Sequence, residues 1–83
     1  MRRYHFHVFD GQNYTFDNDG MMLPDLTAVV AEAERRARSE TRAHTNIQDW
    51  TKWKIDVRGA DDITIFFYPF EELRTRNRPE TGG

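Results

Sequence analysis

The sequence predicts a single α+β domain of order β-β-α-β-β, with one amphipathic helix packed on one face of a four-stranded sheet. Three observations carry this prediction. Segments around Tyr4–Phe9 and Lys52–Arg58 alternate with a period of two. Leu26, Val29, Val30, Ala33 and Ala37 recur at helical spacing. Turn-forming Asp, Asn, Gly and Pro residues separate these segments.

The first strand spans Tyr4–Phe9, with Tyr4, Phe6 and Val8 on one face and His5, His7 and Phe9 on the other. Asp10-Gly11-Gln12 is a hairpin turn. Asn13–Asp17 forms a short second strand with Tyr14 and Phe16 on one face, and Asp17-Asn18-Asp19-Gly20 breaks it. An EF-hand reading of that acidic turn fails, because Leu26 stands where a loop starting at Thr15 needs its glutamate.

Leu23-Pro24-Asp25 introduces the helix, with Asp25 as the cap for its first backbone amides. The helix is expected to run to about His44. Its other face carries Glu32, Glu34, Arg35, Arg36, Arg38, Glu40 and Arg42, and Glu32–Arg36 and Glu34–Arg38 are favourable i, i+4 pairs. This reads as a solvated, salt-bridged face. In the third strand, Lys52–Arg58, Trp53, Ile55 and Val57 point in, and Lys52, Lys54, Asp56 and Arg58 point out. Gly59-Ala60-Asp61-Asp62 is a turn. The fourth strand, Ile63–Tyr68, is apolar on both sides, with Ile63, Ile65 and Phe67 assigned to the core face and Thr64, Phe66 and Tyr68 to the other. Pro69 ends it. Residues 1–73 form the domain, and 74–83 are expected to be a disordered tail.

The first and fourth strands are apolar on both faces, which suits interior positions, and the third carries charge, which suits an edge. The expected strand order is therefore 2-1-4-3, with the first and fourth parallel. The all-antiparallel order 2-1-3-4 is the rival.

Eighty-three residues bury only about 60% of their unfolded surface, so the stability margin is narrow. There is no cysteine to form a disulfide or a thiolate metal site, and six Phe, three Tyr and two Trp supply the burial instead. The net charge of −2 does not favour a dedicated nucleic-acid binder. No apolar run approaches the roughly 20 residues of a membrane span, and no signal-peptide core of about 7–15 apolar residues follows Met1-Arg2-Arg3, so a cytoplasmic protein is expected.

Arg3-Tyr4-His5-Phe6-His7, Asp10-Gly11, Asp17-Asn18-Asp19-Gly20, Leu23-Pro24-Asp25-Leu26, Trp53-Lys54-Ile55-Asp56-Val57 and Pro69-Phe70 follow one another at characteristic spacing. Over about residues 2–73 the chain resembles a family of short uncharacterised bacterial proteins, classed as a domain of unknown function. That resemblance implies the fold and implies no catalytic residue.

The candidate binding surface is the sheet face away from the helix, assigned His5, His7, Phe9, Lys52, Lys54, Arg58, Phe66 and Tyr68. Exposed rings on a thinly covered sheet mark an interface, so self-association or a protein partner, through this face or an edge strand, is the expected function. Rings interleaved with cations could also stack bases and hold phosphates, which makes nucleic-acid binding the alternative. His5-x-His7 offers two metal ligands where a site needs three or four, so no metal is assigned. The terminal Gly82-Gly83 is similar in outline to ubiquitin-like sulfur carriers, a reading ranked lower still. No cofactor is expected. Nor is enzymatic activity: Ser39 is the one serine, the glycines form no phosphate loop, and no carboxylate pair occupies an evident cleft.

Overall fold

The computed structural model describes residues 1–76. Its elements are β1 (Arg2–Phe9), β2 (Tyr14–Thr15), β3 (Met21–Leu23), α1 (Leu26–Ala43), β4 (Lys54–Arg58), β5 (Thr64–Pro69) and α2 (Glu72–Arg76). The class is α+β, as the sequence predicts. One long helix covers an antiparallel sheet of order β2-β1-β4-β5, with β3 also paired to β1. No described helix is long and apolar enough to cross a membrane.

The strand order corrects the sequence expectation, and the reason lies in Asp56. The charged face of β4 is not an edge face, because Asp56 is 1% exposed and bonded on all sides. β4 therefore sits between β1 and β5, antiparallel to both, and the rival order is the one adopted. β5 forms one edge of the sheet, and β2 and β3 lie along the other, beyond β1.

β5 also turns its faces the other way. Val57 pairs with Phe66 and Ile55 with Tyr68, so Phe66 and Tyr68 join the helix-facing core rather than the open face. A bulge between Val57 and Arg58 brings Thr64 opposite Arg58, which leaves Ile65 as the extra residue. Ile63, Ile65 and Phe67, assigned to the core, are 64%, 45% and 45% exposed. A strand apolar on both sides gives the period-two pattern nothing to choose between.

The sheet's inner face carries Tyr4, Phe6, Val8, Ile55, Val57, Phe66 and Tyr68. Val29, Ala33 and Ala37 of α1 are fully buried against it, and the two alanines let the helix backbone lie close. Each large side chain buried here contributes about 1.5–3 kcal/mol. Leu26 departs from the expected stripe: it opens the helix and is exposed. Glu32 replaces it as a buried position, accepting from Arg35 Nε at 2.9 Å and Arg36 Nε at 2.7 Å. The expected Glu34–Arg38 pair is also present, at 2.6 Å. Asp25 caps the helix by accepting from Ala28 N–H at 2.9 Å.

Trp50, Trp53 and Phe70 close the far end of the core, with Trp50 and Phe70 stacked at 5.4 Å and Leu73 of α2 beside them. Lys52 and Trp53 precede β4 rather than belonging to it. α2 continues past the expected domain boundary at Leu73. The rest of the expected tail, Gly82 and Gly83 included, lies outside the described residues.

Candidate functional site

β1, β4 and β5 carry the open face. Their register sets His5 beside Arg58, His7 beside Asp56, and Phe9 beside Lys54, with Phe67 opposite Asp56. Tyr14 of β2 pairs with Phe9, their rings 4.8 Å apart, and stacks on Phe16 at 5.3 Å. Lys54 Nζ lies 4.1 Å from the Phe67 ring centre and 5.5 Å from that of Phe9. The result is a row of rings with a cation resting among them, an arrangement in which ring quadrupoles attract the charge.

Asp56 lies beneath this row. It accepts from Tyr14 OH at 3.0 Å, Thr64 OH at 2.7 Å, Arg58 Nη2 at 2.8 Å and Arg58 Nε at 3.1 Å. Burial pushes the Asp56 carboxyl up, but donors from Arg58, Thr64 and Tyr14 outweigh it and hold the group below the usual carboxylate range. Burial and the neighbouring Asp56 raise the Tyr14 phenol. Arg58 also reaches Asp62 at 3.2 Å, so its charge is shared between two carboxylates.

His5 and His7 stack with ring centres 6.0 Å apart, and both address the Asp17 backbone. His5 Nδ1 donates to the Asp17 carbonyl at 2.9 Å. His7 Nδ1 accepts from the Asp17 N–H at 3.0 Å. The Asp17 carboxylate in turn accepts from Phe6 N–H at 3.1 Å, Gly20 N–H at 3.1 Å and Arg36 Nη1 at 3.0 Å. Residues 16–20 thus bridge the gap between β2 and β3 along β1. Their bonds supply what a regular ladder would otherwise provide. The two histidines hold a loop rather than forming a chelate, and among the described residues no group of three or more His, Asp or Glu is arranged to hold a metal.

Of the residues assigned to this face, His5, His7, Phe9, Lys54 and Arg58 are on it. Phe66 and Tyr68 are on the opposite face, and Lys52 lies in the preceding turn, against Gly11. Asp56, Tyr14, Phe16, Asp17, Thr64 and Phe67 belong to the site and are missing from the sequence-based assignment. Only Tyr14 and Phe16 carry a usable signal, since their shared strand face is legible. At the end of the sheet, Met1, Met22, Leu26, Ile63 and Ile65 line an open groove of about 710 Å³ that continues the exposed side of β5.

The architecture is that of a small antiparallel sheet covered by one helix, with an aromatic open face and an apolar edge. The chain belongs to the family described as Domain of unknown function (DUF6894), whose model matches residues 3–71. No curated protein and no solved structure matches it significantly.

Proposed function

We propose that this chain is a cytoplasmic, non-enzymatic accessory protein that works by self-association, pairing the β5 edge of one copy with the β5 edge of another. The observation that carries the reading is the exposure of Ile65 and Phe67 on an edge strand and of Ile63 just before it. Among the described residues β5 is paired only with β4, so its outer side offers a template for another strand. The segment Ile63–Tyr68 contains no charged residue, so two copies meeting about a two-fold axis oppose no like charges. Of the usual devices that discourage edge pairing, β5 carries the bulge at Ile65 and Pro69 at its end, but no charged side chain.

Nucleic-acid binding has weaker support. The exposed Tyr14 and Phe16 rings favour it, but Arg58 is engaged by Asp56 and Asp62. Size-exclusion chromatography with light scattering tests the main reading. The wild-type chain is expected to shift from monomer to dimer with rising concentration, and Ile65→Lys to remain monomeric. A wild-type monomer at millimolar concentration overturns it. Fluorescence anisotropy with a single-stranded oligonucleotide at low salt tests the alternative, because the phosphate contribution is strongest there.

A further inference from the structure

The two histidines contact the same residue's backbone through opposite chemistry. The Asp17 carbonyl can only accept, so His5 Nδ1 carries a proton in that bond. The Asp17 N–H can only donate, so His7 Nδ1 must be bare, which puts the neutral ring's proton on Nε2. Protonating His5 leaves its bond intact. Protonating His7 at Nδ1 sets one N–H against another and removes the bond.

We infer that His7 is a proton-sensitive latch: adding a proton to its Nδ1 ejects the Asp17 peptide and uncovers the outer edge of β1 that residues 16–20 close.

The surroundings of His7 favour the neutral ring. The residue is 5% exposed, its Nε2 is buried with no hydrogen-bond partner, and its ring meets that of Phe16 edge-on at 5.1 Å. His5 faces it from β1. Asp56 and Arg58 face it from β4, Tyr14 from β2 through its bond to Asp56, and Asp62 from the following turn with Oδ1 4.0 Å from His7 Nε2. Thr64 of β5 bonds the same Asp56, and Arg36 of α1 reaches the far side of the latch through the Asp17 carboxylate. Asp56 and Asp62 attract a charged ring, but Arg58 neutralises part of both. Burial, then Arg58, lower the His7 pKa against the pull of the carboxylates.

In the open form the ring is solvated and titrates near its ordinary value of about 6.5. Protons therefore bind the open form more readily, and the open fraction grows as pH falls below that value. Release of Asp17 also withdraws its carboxylate from Phe6 N–H and Gly20 N–H, so three amides report on one event.

Hydrogen exchange read by NMR on the whole chain tests this, with the His7 ring nitrogens followed in the same titration. Protection of the Phe6, Asp17 and Gly20 amides, corrected for intrinsic rates, is expected to fall by about tenfold per pH unit between the open-form and closed-form midpoints. At neutral pH the ring nitrogens should show the Nε2–H tautomer. His7→Asn, which keeps an acceptor near the Nδ1 position and does not titrate, should lose the response, and His5→Asn should retain it. The inference is overturned if wild-type protection is flat from pH 7 to pH 5, if the ring is the Nδ1–H tautomer, or if the three amides follow carboxylate titration near pH 4. These three outcomes are read on the wild-type chain alone, so they decide the matter even where a variant fails to fold.

Discussion

Removing the Asp56 carboxylate should destabilise the fold more than any other single polar change on the open face. Asp56→Ala leaves Arg58, Tyr14 and Thr64 without their common acceptor. Truncating one partner of a buried ion pair costs about 3–5 kcal/mol, because the other charge stays behind. Here Arg58 keeps Asp62 and its side chain is 20% exposed, and the two hydroxyls can reach water, so the low end applies: about 3 kcal/mol. A domain of this length holds only about 4–12 kcal/mol in all. With an m-value of about 1–1.5 kcal/mol/M, the urea midpoint at pH 7 should fall by about 2–3 M. Fluorescence of Trp50 and Trp53 reports the transition, since both pack at the end of the core. Asp56→Asn keeps one acceptor oxygen and loses the charge, so its cost should be about half as large. A loss below about 1 kcal/mol for Asp56→Ala, no more than one ordinary hydrogen bond, refutes the reasoning.

Three further outcomes follow from the same structure. Ala37→Leu forces a larger side chain between helix and sheet where exposure is zero, and should cost about 1–3 kcal/mol by thermal or urea unfolding, whereas Ala31→Leu on the exposed side should change stability by less than about 0.5 kcal/mol. Gly20→Ala combines a φ of +71° with a Cβ 2.8 Å from the Tyr4 carbonyl oxygen, and should destabilise by more than about 1 kcal/mol in the same assay. Circular dichroism against pH should show stability lost on the acid side: Asp17, Glu32 and Asp56 titrate lower folded than unfolded, so their stabilisation is present above the ordinary carboxylate range and disappears as pH falls through the folded values.

Much of the frame was legible because its signals are local. Asp25 declared the helix start, the i, i+4 pairs form as read although Glu32 is buried rather than solvated, and the alternation of Tyr4–Phe9 placed His5, His7 and Phe9 together. What failed was non-local. In Ile63–Tyr68 both faces are apolar, so nothing in the chain itself says which faces the helix; pairing with β4 and a bulge decide it. Asp56 reads as a solvent-facing charge, and only the convergence of Tyr14, Arg58 and Thr64 from three strands makes its burial tolerable. That convergence also centres β4 in the sheet, so the misjudged strand order and the overlooked hub share one cause. Asp17–Gly20 read as a plain turn because the hydrogen bonds between Asp17 and β1 leave no periodic trace in sequence.

The claim that β5 is the pairing surface is tested most directly by a dilution series of amide spectra. Between high and low concentration, shifts are predicted to concentrate on Thr64–Phe67 and the adjacent Ile63, with α1 and the Trp50–Trp53 end unchanged. Spectra that are identical across the series, or shifts centred on Phe9, Tyr14 and Phe16 with β5 silent, contradict it.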